Sequence, residues 1–467
     1  MPEPSPTPGQ PDAAAPVTPA RDRSLPLAGA APPRRFASDA LRDPGASGVE
    51  SLYIHTPFCV HKCHYCDFYS FVDSRDQQPA FVERLLRELE ALAPHAGPLR
   101  TIFVGGGTPS LLRVDLWQRL LRGLDAMFDL SIIRAGRGEW TVECNPESAS
   151  PELLATLRAG GVDRVSLGAQ SFDARHLKSL ERWHNPDNVA RALDAAADAG
   201  IPRRSIDLIF AVPGQSLDDW ECDLRTALAL GVGREPSAPR RGGLTHLSCY
   251  NLTYEPNTAM SVRLQRGEFA PATDDLEADM FQLTRELLAD EGLERYEVSN
   301  YALAGQESQH NLAYWRAQQW LAAGPSASGH VLANRDDPAL GGHRWKNAPS
   351  LGVYLDHADA SGYAPISDHE PPDPARALRE RIMTGVRLRE GIETEALLRD
   401  SERLIPGSGA RLAARAHELV DDGLLEPTAP STAHAIASEP TRWRVSTRGW
   451  LLADWIAKRL MNELDRP

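Results

Sequence analysis

The chain has 467 residues, 42% of them hydrophobic, enough for a sizeable core and for two or three domains rather than one. Its 50 Lys and Arg against 64 Asp and Glu leave a formal charge of −14, which argues against a dedicated nucleic-acid binder, because neutralising phosphates needs a net basic face. No run of about 18 apolar residues is present to span a membrane, and six cysteines in so long a chain give no disulfide framework.

Residues 1–47 hold 11 of the 37 prolines, many alanines and few large apolar side chains. Such a segment cannot bury enough surface to offset its ordering entropy, and it reads as a disordered tail. It lacks the basic start and apolar run of a secretory signal. From Ser51 onward short β-rich runs recur: Leu52–Ile54, Thr101–Val104, Trp140–Glu143, Arg164–Leu167, Ser205–Phe210 and Thr245–Tyr250. Helical stripes separate them, with Phe81, Leu85, Leu89 and Leu92 on one face of 79–93 and Leu116, Leu120, Leu124 and Phe128 repeating the spacing. Six strands alternating with helices predict βα units, a parallel sheet and an α/β fold of the partial (β/α)6 barrel kind over 48–300. The strands end in polar or glycine-rich punctuation, and in a parallel barrel those C-terminal ends converge on one mouth. Residues 233–243 read as a surface loop. After 300 the alternation stops, leaving an extension over 301–373. Helices, a low-complexity stretch (427–440), a β run at Trp443–Val445 and a closing helix then predict a winged-helix-like accessory domain over 374–467. That shape does not by itself imply DNA, and the acidic balance favours a structural role.

The chemistry is concentrated at Cys59-x3-Cys63-x2-Cys66, three thiols on one loop after the first strand. Three thiolates can hold a 4Fe–4S cube with one iron left open. A closed zinc site wants four ligands, which His55, His61 or His64 could complete, so the spacing leaves zinc open as well. Cys144, Cys222 and Cys249 have no such neighbours and read as small buried residues.

This pattern, placed after the first strand of a (β/α) barrel, resembles the radical S-adenosylmethionine (SAM) superfamily, and within it the branch that holds oxygen-independent coproporphyrinogen III oxidase and its haem-chaperone relatives. The resemblance runs from residue 51 to the C-terminus. It implies a 4Fe–4S cluster on Cys59, Cys63 and Cys66 whose open iron takes SAM, so that one electron can cleave the sulfonium to a 5′-deoxyadenosyl radical. It further implies SAM contacts from Tyr53, Tyr65, Gly106, Gly107, Thr108, Glu143, Gln170, Arg182 and Asp207. The Arg182 fork suits a carboxylate, and Asp207 suits ribose hydroxyls. Read alone, Arg182 beside Glu181 is also what a solvated helix charge looks like.

Two features divide the branch. The oxidase pattern continues as Cys-x-Cys after the third ligand, whereas here Cys66-Asp67-Phe68 follows, as in the chaperones. His310-Asn311-Leu312-Ala313-Tyr314-Trp315 resembles the His-Asn-x-x-Tyr-Trp string that the chaperones are thought to use for haem, so haem contacts are expected at His310, Asn311, Tyr314 and Trp315. Imidazole is a common axial ligand, and the aromatics offer flat apolar area. As a bare string, the same residues also suit a buried segment that satisfies backbone groups. Two departures stand out: Ser326 and Ser328 replace a glycine and a histidine in Gly324–Gly329, and Ala211 stands where a glycine is usual. The resemblance thus implies haem delivery to respiratory acceptor proteins, with an electron donor, in the cytoplasm. Any membrane contact would be peripheral, and a homodimer is compatible. Coproporphyrinogen decarboxylation is the alternative activity.

Overall fold

The computed structural model describes residues 35–43, 45–233, 243–357, 360–428 and 441–465. The expected loop and low-complexity stretch therefore fall largely outside the described residues, as do residues 1–34 of the expected tail. Residues 35–43 and 45–47 correct that expectation. Arg35–Phe36 pairs antiparallel with a strand at Pro365–Glu370, and Ala37, Ala40, Leu41 and Ala46 are buried. Small side chains pack here without announcing themselves by hydrophobicity.

All six expected strands form, parallel and side by side in chain order: β1 (Val49–Thr56), β2 (Ala96–Gly106), β3 (Glu139–Cys144), β4 (Arg164–Gln170), β5 (Arg203–Phe210) and β6 (His246–Asn251). Both faces are covered, which is why Ile102, Val104, Trp140, Val142, Val165, Leu167, Ile206 and Leu208 read as near-continuous apolar runs and are buried. Helices α1 (Gln78–Leu92), α2 (Val114–Met127), α3 (Pro151–Ala159), α4 (Asp187–Asp198) and α5 (Leu217–Ala229) supply the outer layer.

Among the described residues nine strands, not six, make up the sheet. Beyond β6, β7 (Asn300–Ala302) and the pair Glu294–Arg295 add on antiparallel. At the other edge β8 (Leu321–Ala323) lies parallel to β1. The stretch after 300 is thus part of the barrel body. A four-stranded sheet formed by Arg35–Phe36 with β9 (Ser328–Leu332), β10 (Gly342–Asn347) and β11 (Pro365–Glu370) completes it. Two buried charges on α1 clamp this region. Arg84 donates to the carbonyls of Tyr354, Gly362 and Tyr363, while Glu88 accepts from Gly324 N (2.9 Å), Asn347 Nδ2 (2.8 Å) and the Tyr354 hydroxyl (2.6 Å).

The C-terminal part has its own core around Leu397, Leu412, Leu419, Trp443, Ile456 and Leu460. A helix at Pro374–Gly385 and two more at Thr394–Leu404 and Ser408–Asp421 precede an antiparallel wing, Leu425–Thr428 with Arg442–Val445, and a last helix, Ala453–Met461. This is the expected order. The domain is joined to the barrel body by Arg316, bidentate on Glu390 (3.0 and 2.7 Å), and by Arg295, whose guanidinium lies 4.0 Å over the Trp450 ring. Among the described residues, no helix is long and apolar enough to cross a membrane.

Candidate functional site

Immediately after β1 the chain turns into the three-thiol loop, which is closed by a short parallel pairing of Phe58–Cys59 with Phe71–Val72. Cys66 N donates to Cys63 O (3.2 Å), so the last two thiols share a turn. Cys59, Cys63 and Cys66 all face one cavity of about 640 Å³ at the C-terminal ends of the strands. Tyr65, Gly106, Gly107, Thr108, Glu143, Gln170, Arg182 and Asp207 line the same cavity. Tyr53 does not, and it lies deeper inside the barrel.

The donor set decides between the two metals left open by the spacing. His55 is buried with both ring nitrogens engaged, one by the Tyr69 carbonyl (2.8 Å) and one by the Tyr53 hydroxyl (3.1 Å). His64 turns Nδ1 toward the Arg263 guanidinium, and His61 stacks on Trp183 at 4.0 Å. Among the described residues no histidine joins the thiols in a group of donors close enough together to share one zinc ion, whereas three soft thiols beside an open cavity fit an iron–sulfur cube. Burial pushes the Cys66 thiol up to about 11, so the thiolate form there calls for a neighbouring cation such as iron.

The glycine run at the end of β2 is forced by crowding. A side chain on Gly106, which sits at φ 101°, would strike the His55 ring, and one on Gly107 would strike the carbonyls of Thr56 and Phe58. Thr108 places its hydroxyl 3.5 Å from Cys59 Sγ. Glu143 accepts from Gly106 N (3.1 Å), and burial, with the Asp207 charge adding to it, pushes its carboxyl up to about 8. Asp207 is likewise raised by burial and receives the Ser166 hydroxyl at 3.0 Å. A bulge between Gly168 and Gln170, with Gln170 at φ 63°, interrupts the strand where it reaches the cavity.

Arg182 is no solvated helix charge. Its Nη2 donates to Gly168 O (3.0 Å), its Nη1 approaches Cys63 Sγ (3.6 Å), and its Nε is buried without a partner. An orphaned N–H on a fork lining a cavity is what a carboxylate would satisfy. Ser166, Tyr250, Trp183 and His184 also line the cavity. No spacing in the sequence marks them, and only the fold brings them there.

A smaller chamber of about 140 Å³ lies inside the barrel, lined by Tyr53, Phe103, Glu143, Asp207, His246 and Tyr314 among others, and it shares Glu143, Ser166, Asp207 and Tyr250 with the main cavity. The residues expected to meet haem sit on α6 (Gln309–Trp315), and three of them, His310, Asn311 and Tyr314, line this chamber. His310 is 1% exposed, with Nδ1 hydrogen-bonded to Thr101 Oγ1 (2.8 Å) and Nε2 to the Tyr314 hydroxyl (2.9 Å). Asn311 donates to Tyr296 and Glu297, and Tyr314 packs on Trp320. Trp315 is half-buried on the same helix. Glu139 caps the helix, taking Ser308 Oγ (3.0 Å), Gln309 N (3.1 Å) and His310 N (3.4 Å) while paired to Arg164. His310 therefore offers no free nitrogen, and the chamber beside it is too small for a macrocycle. Cys144 and Cys249 are buried as expected, but Cys222 is exposed.

A parallel barrel with three thiols on the loop after its first strand is the radical SAM architecture, and the radical SAM superfamily matches residues 53–227. The chain is 34% identical to the heme chaperone HemW of Mycobacterium tuberculosis over 415 residues, 88% of this chain and 94% of that one. It is 38% identical to the HemW of Escherichia coli over 60% of this chain and 70% of that one. The chain belongs to the HemW family. Among solved structures, the coproporphyrinogen III oxidase HemN of Escherichia coli, a radical SAM enzyme, superposes with a TM-score of 0.70 at 20% identity, over 90% of this chain and 92% of that one, which establishes the shared fold.

Proposed function

We propose that the protein is a haem chaperone that carries a 4Fe–4S cluster on Cys59, Cys63 and Cys66, binds SAM beside it, takes up haem and passes it to respiratory acceptor proteins in the reducing cytoplasm. One observation carries the reading: a single cavity gathers the three thiols with eight of the nine residues expected to contact SAM, while position 68 presents an exposed phenylalanine instead of a fourth thiol. The bound cluster supplies an open iron site and a single electron, delivered by a reductant partner. The chain's own residues do the holding. Arg182, fixed by Gly168 O, turns its unpartnered Nε–H to a carboxylate. Asp207, held by the Ser166 and Ser248 hydroxyls, has remaining lone pairs to accept ligand hydroxyls. The crowded glycine edge at 106–107 lets a ligand meet backbone directly.

The test is anaerobic reconstitution followed by transfer. The full-length protein should bind about four irons, lose its visible charge-transfer absorption in Cys63→Ser, bind haem, and hand it to an apo acceptor. Robust decarboxylation of coproporphyrinogen by the same sample would overturn the chaperone reading, and zinc in place of iron would overturn the cluster.

A further inference from the structure

Five side chains at the opening of the main cavity are left unused by the cluster and by SAM. His184 is 6% exposed, lines the cavity, and has neither ring nitrogen hydrogen-bonded. His61, also on the lining, leaves Nε2 buried and unpartnered. Its ring lies nearly parallel to Trp183, at 14°. Around them Val60, Phe68 and Trp183 stand 67%, 57% and 70% exposed on the same lining. An orphaned buried imidazole is costly unless something not yet present satisfies it. Three large apolar side chains held in water at one rim are a binding surface rather than ordinary scatter.

Resting on the haem-chaperone reading, we infer that cargo haem docks across this rim, with Trp183 and Phe68 against the macrocycle and His184, not His310, as the imidazole that meets its iron. The ligand chemistry follows from the groups. A flat apolar ring stacks on exposed aromatic faces, and a metal at its centre is a partner that a free, neutral imidazole nitrogen can ligate. A porphyrinogen, which is neither flat nor metallated, offers neither that stacking nor that ligation. Burial, with Arg182 beside it, lowers His184 to about 4, so the ring is neutral at pH 7, the form a metal binds. His310 has both nitrogens committed inside the barrel and cannot serve without giving up one of those hydrogen bonds.

Ferric haem titrated into the full-length, cluster-loaded protein in the presence of SAM tests this, with the Soret band as readout. His184→Ala should shift the band and weaken binding by about tenfold or more, and added imidazole should restore the wild-type position, which a merely structural role would not allow. Trp183→Ala, a change at an exposed position, should weaken binding several-fold. His310→Ala should keep the wild-type band position. Wild-type affinity and band in both His184→Ala and Trp183→Ala would overturn the inference. Should His184→Ala fail to load its cluster, Trp183→Ala decides alone. Failure of the wild-type protein to bind haem at all would instead overturn the chaperone reading on which the inference rests.

Discussion

The mouth of the barrel and the base of its interior are built from similar residues and behave in opposite ways. Both hold buried carboxylates, arginines and histidines. At the base, Glu139 collects Arg164, Arg203, Ser308 and two backbone N–H groups, and although burial opposes its charge, these partners hold the carboxyl down to about 2. At the mouth, Glu143 has a single backbone donor and is pushed up to about 8, Arg182 keeps an unpartnered Nε, and His184 has no partner. At the base the carboxylate is fully paired and holds the fold, with Arg164 Nη1 left over, whereas at the mouth the unpaired groups line an open cavity. The string His310–Trp315, which reads as a ligand site in the sequence, starts from the satisfied side.

The largest effect expected from this contrast is on stability. Glu139→Ala should cost about 3–5 kcal/mol in denaturant unfolding, because Arg164 is left buried and uncompensated. Arg182→Ala should change the midpoint far less. The pH sign agrees. With its folded pKa below the ordinary carboxylate value, Glu139 contributes stability in full above about 4.5, and loses it as pH falls toward about 2. Equal destabilisation by the two variants would erase the distinction.

The second effect is on binding. Arg182→Ala should weaken SAM by about 2–3 kcal/mol in calorimetry on the cluster-loaded protein, because a charge-assisted pair to a carboxylate is lost. Arg182→Lys should recover only part, since a point charge cannot replace the fork. Unchanged SAM affinity in both would remove Arg182 from the site.

The third concerns protons. Glu143 has its folded pKa raised, so at neutral pH the carboxyl is largely uncharged, and it ionises as pH rises through about 8. SAM carries a sulfonium, which favours the ionised form. SAM affinity should therefore climb between pH 6.5 and 8.5 by up to about tenfold per unit before levelling, with proton release on binding. Glu143→Gln should flatten the profile. A flat wild-type profile would place the cation away from Glu143.

What was legible in the sequence follows the range of the interactions. The six strands and the thiol loop were legible because periodicity and spacing are local. Eight of the nine residues that the resemblance assigns to SAM line one cavity, although none of Glu143, Gln170, Arg182 or Asp207 has a local signal. The satisfied base was not legible, because the partner of Glu139 at Ser308 lies 169 residues away and that of Arg84 at Tyr354 lies 270 away. A buried charge looks like a surface charge until its partner is placed. The folded segment before residue 48 was missed for a different reason. Ala37, Ala40 and Ala46 bury little area each, and composition weighs area rather than fit.

The smallest effect is at the two departures from the family pattern, and it lies outside both regions. Ala211 sits at φ 61° and Ser326 at φ 67°, the left-handed region that explains why a glycine is usual at each. Neither lines the main cavity. The loop that carries Ser326 is instead held through Gly324, whose N donates to Glu88 (2.9 Å) and whose carbonyl accepts from Asn347 (2.8 Å). Relief of left-handed strain, about 1–2 kcal/mol, outweighs the extra freedom that glycine gives the unfolded chain, about 0.4–1 kcal/mol. Ala211→Gly and Ser326→Gly should therefore each stabilise the protein by about 0.5–1 kcal/mol in urea unfolding, and because the positions share no partner the gains should add. SAM and haem affinities should stay at wild-type values. A change in either affinity would tie these loops to the mouth, and a loss of stability would mean that the side chains hold contacts worth more than the strain they carry.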